Sequence, residues 1–401
     1  MNLVFLTHPY LLDSQSMPRF AGLLAEGMRS RGHKVDIWSP VPKAYHLPSP
    51  ASLKKWLGYV DQYLLFPAEV SVKLRRYTKD TLFVFTDHAL GPWVPLVKDH
   101  PHVIHCHDFL AQRSALGEIR ENPTSWTGKQ YQAYIRRGYR KGKHFISVSD
   151  KTRQDLHRFL PAVPAMSEVV YNGLNQFFEA MDQEEARKRI GERTKLHLHK
   201  GYILHVGGNQ WYKNRKGVID IYDAWRNTFE LNLPLIMVGT APNATLRQRW
   251  EFSPCKADIH FLSGLLDEEV RCAYAGAVVL LYPSLEEGFG WPIAEAMASA
   301  CPVITTEEAP MTEVGGEAAM YIPRKAATRS PHTWAKEAAE VLQNVLAMPR
   351  DERHKVIKAG LAQVRKFDTD VALDHIEKLY ISILQNRLHT QDMKVSGPER
   401  I

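Results

Sequence analysis

The chain has 401 residues, 44% of them hydrophobic and 24% charged, which is ordinary globular composition but more length than one hydrophobic core usually serves. Two domains are therefore expected, and a disordered, collagenous or low-complexity protein is excluded, apart from a short C-terminal tail. The net charge of +7 favours anionic partners such as nucleotide diphosphates and phospholipid head groups, without choosing among them.

No apolar run approaches the roughly 20 residues that a membrane-spanning helix needs. The first residues enter an apolar run with no basic leader, so a strand is expected there rather than a secretory signal. Cys106, Cys255, Cys272 and Cys301 lack C-x-x-C spacing, which fits reduced thiols in a cytoplasm better than a disulfide framework or a zinc site. Basic clusters at residues 73–77 and 136–143 lie near aromatics. A solvated helix face is the expected reading of both, with peripheral contact at the inner face of a membrane as the other; nucleic acid, which charge alone would support, is not an expected partner.

In chain order, an apolar run at residues 3–7 is followed by an amphipathic stretch at 19–31 and a β-branched run at 34–38. This is βαβ grammar. It continues through strands at 82–85, 103–106, 145–148 and 168–170, giving one doubly wound Rossmann-like domain over residues 1–175. The pattern restarts with apolar runs at 202–206, 235–238, 259–262, 278–282 and 302–305, giving a second such domain over residues 176–370. Helices are expected near 334–347, 351–367 and 371–385. Ligands of such sheets bind at the carboxyl ends of the strands, so the expected site lies in a cleft fed by strand-end loops of both domains.

The most informative stretch is residues 282–297, where a buried-type strand runs into Gly288, Phe289 and Gly290 and then into a helix opening near Pro292. A helix N-terminus offers N–H groups and a positive dipole end to a diphosphate, and the glycines allow a ligand to approach the backbone closely. Glu287 is expected in the loop and Glu295 in the first helical turn. A carboxylate beside a phosphate is electrostatically sound if it accepts from neutral donors, and the hydroxyls of a ribose or a hexose are such donors. A second cluster, residues 205–217, opens a strand into glycines followed by Lys213, Arg215 and Lys216, cations that can balance the charge developing on a diphosphate without a metal. A third, residues 105–108, ends a strand in His105, Cys106, His107 and Asp108. Alternation puts Cys106 on the face opposite the two histidines, so no three-ligand metal site forms from this run alone.

The Glu287 and Glu295 spacing, in the context PSLEEGFGWPIAEAMASACPVIT, resembles the Glu-x7-Glu signature of family 4 of the retaining glycosyltransferases, enzymes of the GT-B fold. The resemblance extends over nearly the whole chain to about residue 385 and is stronger in the C-terminal half. It implies an α/β, GT-B-like protein with two doubly wound Rossmann-like domains facing across a cleft: an acceptor-side domain (1–175), a donor-side domain (176–370), a C-terminal helix (371–390) packing back on the N-terminal domain, and a tail (391–401). It implies that Glu287 contacts the donor sugar and Glu295 the ribose, and that Lys213 is the phosphate-binding lysine, with Arg215 and Lys216 close in register. Gly208, Gly288, Phe289 and Gly290 line the donor, while Gly239 and Leu265 end strands that hold the base through backbone contacts. Many family members carry an arginine where this chain has Gly208 or Asn209, which leaves the second cation unassigned.

On the facing side, His107 resembles the family's active-site histidine, with Asp108 orienting it or meeting the acceptor. Asp87 and His88 are acceptor contacts. The family's glycines after the first strand are absent here, and Ser16 and Arg19 stand in for them. The expected reaction is transfer of a sugar from a nucleotide sugar of the UDP or GDP type to a glycan, lipid-linked or small-molecule acceptor, with retention and with neither cofactor nor metal. The alternatives are a catalytically weak nucleotide-sugar-binding subunit and a sugar-nucleotide epimerase. A glycosidase, built on two carboxyls flanking the scissile bond, has no use for the glycine loop and the lysine.

Overall fold

The structure is a computed structural model and describes residues 1–9, 16–78, 80–174, 177–326 and 330–395; the side chains of Ser16 and of residues 387–395 lie outside that description. The chain divides into two compact units, Met1–Tyr171 with Asp370–Ile401, and Asn172–Thr369. The division falls at Tyr171, four residues before the expected 175.

The N-terminal unit is a six-stranded parallel sheet of β1 (Asn2–Leu6), β2 (Lys34–Trp38), β3 (Thr81–Phe85), β4 (His102–Cys106), β5 (His144–Ser147) and β6 (Met166–Val169), in the order β2-β1-β3-β4-β5-β6. Its helices are α1 (Ser16–Ser30), α2 (Ala51–Val60), α3 (Phe66–Lys73), α4 (Leu110–Ala115), α5 (Trp126–Tyr139) and α6 (Asp150–Phe159). Alternation along the strands explains the two layers. Val4, Leu6, Phe83, Phe85, Ile104 and Cys106 enter one core with Phe66, Trp93 and Tyr139. Leu3, Phe5, Leu82, Val84 and Val103 enter the other, with Leu24 and Met28 of α1.

The C-terminal unit repeats the plan with β7 (Ile203–Val206), β8 (Leu235–Val238), β9 (Ile259–Leu262), β10 (Val279–Tyr282), β11 (Val303–Thr306) and β12 (Met320–Ile322), ordered β12-β11-β10-β7-β8-β9. The edge strand β12 was not anticipated, because three residues carry no readable alternation. The helices are α7 (Gln183–Thr194), α8 (Arg215–Thr228), α9 (Ala244–Glu251), α10 (Asp267–Gly276), α11 (Trp291–Ala298), α12 (Met311–Gly315), α13 (Pro331–Leu346) and α14 (Arg350–Gln363). Trp225 of α8 and Trp334 of α13 fill the core on one face of this sheet.

The last helix, α15 (Thr369–Val395), sends Leu373, Ile376, Tyr380 and Ile383 into the second core of the N-terminal unit. It continues past residue 390, where a tail was expected, to Val395; residues 396–401 lie outside the described set. Arg31 and His33 tie it down through Asp374 (2.6 Å) and Glu377 (2.6 Å). Inside that core, His105 Nε2 lies 2.7 Å from the hydroxyl of Tyr380, and both side chains are fully buried.

Burial lowers the pKa of His105 to about 3, and that of His205 on β7 also to about 3. Below about pH 6.5 the unfolded chain takes up protons that these folded histidines refuse. Stability is therefore lost as pH falls from 6.5 toward 3, by about 1.4 kcal/mol per pH unit for each histidine. Urea unfolding of the chain as a function of pH will read this slope. Tyr380→Phe, which removes the partner of His105, is expected to cost about 1–3 kcal/mol in the same measurement.

Candidate active site

In the C-terminal unit the loops after the two central strands, β7 and β10, are clamped to each other. Leu285 N donates to Tyr212 O (2.7 Å) and Asn214 Nδ2 to Pro283 O (2.9 Å), while Thr305 and Thr306 of β11 donate to Tyr282 O (2.9 Å) and Ser284 O (2.6 Å). The clamp brings Lys213 onto Glu287. Lys213 Nζ donates to Glu287 Oε1 at 2.8 Å and to the phenol of Tyr282 at 2.5 Å. The phenol in turn donates to the same carboxylate oxygen at 2.5 Å, and Ser284 Oγ lies 2.6 Å from it. Burial, and after it the charge of Glu287, pushes the Tyr282 phenol far above its ordinary pKa, so it stays protonated and donates. Glu287 Oε2 accepts from no described residue.

Two glycines let the backbone take this course. Gly290 caps α11 at φ +109°, and Gly239, at φ +139°, ends β8 so close to its neighbour that a Cβ there would lie 2.1 Å from Gly207 O. A side chain at either position is strained. α11 begins at Trp291, so Glu295 stands in the second helical turn rather than the first. It is buried, and Tyr274 of α10 donates to its Oε2 at 2.8 Å. The Phe289 ring is also buried, packed edge-on against Trp291 and Phe367.

The three cations fare differently. Arg215, on the first turn of α8, is 5% exposed, and Nη1 donates to Asn209 Oδ1 (2.7 Å) and Thr240 O (2.8 Å). Its Nε and Nη2 are buried without a partner, and no carboxylate among the described residues offsets its charge. Burial lowers its pKa to about 10, which leaves it charged at neutral pH. It reaches the loop of Gly208 and Asn209, the place left without a cation in the sequence. Lys216 is exposed and joins none of these groups. Leu265, after β9, is half-buried.

In the N-terminal unit the ends of β1, β3 and β4 gather a second cluster. His107 is buried, its Nε2–H donates to Thr86 O at 2.9 Å, and its ring meets Phe20 edge-on at 4.4 Å. Burial lowers its pKa against the opposing pull of Asp87, which keeps it neutral. Asp87 accepts from His8 Nε2 at 2.8 Å and from Ala89 N at 3.1 Å. His88 Nδ1 lies 2.9 Å from Asp87 without hydrogen-bond geometry. Although burial pushes Asp87 upward, the charge of His88, the hydrogen bond from His8 and the charge of His8 carry its pKa well below the usual range. Asp108 behaves in the opposite way: burial raises it, and its Oδ1 accepts from Leu110 N at 3.0 Å, so it closes its own turn. Ser16 opens α1, three residues before the expected start, and its side chain lies outside the described residues; Arg19 is exposed on the same helix.

Tyr282, Ser284, Tyr274 and His8 were not anticipated as site residues. Tyr282 and His8 had a signal, since each sits at or just past the end of a strand placed inside its sheet. Tyr274 had none, because its reach to Glu295 depends on how α10 packs on α11.

Lys213→Met leaves the 9%-exposed Glu287 without its cation and is expected to lower stability by about 3 kcal/mol. Adding Glu287→Gln should restore most of that loss. Urea unfolding of the two single variants and the double variant completes the cycle.

Comparison with known proteins places this geometry. The sequence model described as Glycosyltransferase Family 4 matches residues 17–176, and the one described as Glycosyl transferases group 1 matches residues 200–344. The Escherichia coli protein named O-antigen chain mannosyltransferase B is 30% identical over 170 residues, 42% of each chain. The chain spans about half the length, or less, of the curated relatives it matches. The solved structure of sucrose-phosphate synthase from Thermosynechococcus elongatus aligns with TM-score 0.72 at 16% identity, covering 96% of this chain and 100% of that one. That of Anabaena HepE in complex with UDP and glucose aligns with TM-score 0.70 at 14% identity, covering 95% and 100%. At such identities the likeness establishes the fold, which is the GT-B-like pair of doubly wound domains that the sequence leads one to expect. With one family model on each domain, the chain belongs to the family 4, or group 1, glycosyltransferases.

Proposed function

We propose that the chain transfers a sugar from a nucleoside-diphosphate donor, of the UDP or GDP type, to an acceptor hydroxyl with retention of configuration and without a metal ion. The observation that carries the reading is the meeting of Lys213, Tyr282 and Glu287 at the end of β10, with an unengaged oxygen on Glu287. Sugar hydroxyls donate to that oxygen, and the ribose hydroxyls to Glu295, which Tyr274 holds in place. Lys213 and the uncompensated Arg215 face the diphosphate, whose charge grows as the bond to the sugar breaks.

In this reading the departing diphosphate takes the acceptor proton on the face being attacked, so no protein base is needed. His107, held neutral, offers its ring to a sugar hydroxyl rather than a charge. Asp87, His88 and Asp108 serve the acceptor, which is a glycan, a lipid-linked intermediate or a small molecule. An O-antigen mannosyltransferase among the relatives, and a solved relative holding UDP and glucose, favour a cytoplasmic role in polysaccharide or glycoconjugate assembly.

Incubation with UDP-, GDP- and ADP-sugars is expected to give slow nucleotide release from one of them, unchanged by EDTA. Glu295→Ala removes it, and Lys213→Ala lowers kcat by about 100- to 1000-fold. Tight nucleotide binding without turnover across varied acceptors would point instead to a binding subunit, and a changed sugar without any acceptor to an epimerase. The anomeric proton of the product, read by NMR, decides between retention and inversion.

A further inference from the structure

Residues 51–76 of the N-terminal unit form one helical stretch: α2, a π-helical turn at Asp61–Leu65, α3 and a final 3-10 turn at Leu74–Arg76. Its inner side is a core element. Phe66 packs on Trp93 at 4.5 Å, and Trp93 Nε1 donates to Gln62 O at 2.9 Å. Its outer side carries a run of large apolar side chains turned to solvent: Leu53 (49% exposed), Trp56 (61%), Leu64 (65%) and Val72 (57%), with Ala68 also exposed. The steps of three, eight and eight residues follow one face of a helix. A spacing of four drifts by roughly 40° per step on an α-helix, and the wider π turn between Trp56 and Val72 offsets part of that drift.

Cations flank this apolar face. Lys55 stands exposed at its start, next to Lys54, whose ammonium donates to the carbonyls of Tyr45 and Leu47, and Arg75 and Arg76 stand exposed at its end. The two acids of the stretch do not oppose an anionic partner. Asp61 is buried, its carboxylate held by the amides of Lys43, Ala44 and Tyr45, and Glu69 is paired with Lys73 at 2.7 Å. Beside it, Tyr59 stacks on Tyr131 of α5 at 5.6 Å, and α5 adds Trp126, 72% exposed, and the exposed Lys129.

We propose that this face is a docking surface for an anionic phospholipid bilayer, on which the stretch lies in the plane of the interface. Leu53, Trp56, Leu64 and Val72 enter the boundary between head groups and acyl chains, and the flanking Lys and Arg meet the phosphates. No described helix is long and apolar enough to cross a membrane, so contact of this kind is in-plane. A second copy of the chain fits the face poorly. A two-fold pairing of antiparallel stretches would set Lys54 and Lys55 of one copy against Arg75 and Arg76 of the other.

The inference is independent of the transfer reaction, and its test reads lipid binding alone. The full chain is sedimented with vesicles of phosphatidylcholine, or of phosphatidylcholine mixed with phosphatidylglycerol. It is expected to pellet with the mixed vesicles only, less so as salt rises. Trp56→Ser with Leu64→Ser should weaken binding at least about tenfold, and Lys55→Glu and Arg76→Glu about fivefold or more each. All of these side chains are exposed, so an unchanged thermal midpoint confirms that the variants fold. A wild-type chain that stays in the supernatant at low salt, or that binds equally well after the apolar double substitution, overturns the proposal. So does self-association, seen by sedimentation velocity, that Trp56→Ser abolishes, because the face would then join two copies.

Discussion

One carboxylate oxygen, Oε1 of Glu287, gathers Lys213, Tyr282 and Ser284 around it, and the C-terminal domain is arranged so that these groups meet there. Lys213 arrives from the loop after β7 and the other three from β10 and the loop it feeds, segments about 70 residues apart that become neighbours only because β7 and β10 pair in parallel at the centre of the sheet. A lysine and a glutamate this buried would be costly if either stood alone. Together they are neutral, and the phenol of Tyr282 bonds to both. The consequence for a ligand is electrostatic. The pair presents no net charge, whereas the buried Arg215 has no balancing carboxylate among the described residues. A donor that bonds to Glu287 through hydroxyls and to Lys213 through phosphate replaces the contact between them with two of its own.

The N-terminal domain uses its histidines in the opposite sense. Burial keeps His105 and His107 neutral, and their roles are set by the carbonyl, hydroxyl and ring that surround them. Asp87, between His8 and His88, is the one carboxylate of the cluster that its neighbours drive toward ionisation, whereas Asp108 is driven away from it. Two carboxylates a few residues past the ends of adjacent strands thus carry different protonation tendencies, which composition alone does not reveal.

Strands were the most legible part of the sequence. Short apolar runs bounded by turns gave β2, β8 and β9 to the residue, and most others within one or two, because the turn signals at both ends limit where such a run can start and stop. The three-residue β12 escaped, as did the start of α1 at Ser16. In the candidate site, Glu287, Glu295 and Lys213 stand out in the sequence because each lies within a few residues of a glycine turn that follows a strand, and the structure brings Lys213 onto Glu287. Tyr282 and Tyr274 do not, since a tyrosine in an apolar run reads as core until its hydroxyl is seen to have a partner. The order of Lys213, Arg215 and Lys216 in space was also hidden. Consecutive residues at a helix start point in different directions, and only the fold sends Arg215 inward and Lys216 out.

The closing helix α15 makes the N-terminal domain discontinuous in sequence, since its second core is finished by side chains some 200 residues beyond β6. During synthesis, chains are made from the N-terminus and domains fold as units. The C-terminal domain is therefore complete on the ribosome while the first domain still lacks one wall. Until the final turns emerge, Leu3, Phe5 and Val84 have no Leu373 or Ile376 to cover them, and His105 has no Tyr380. The first half of the chain to be made is the last to be finished, and a product truncated before α15 would expose apolar surface in the N-terminal domain, far in sequence from the cut.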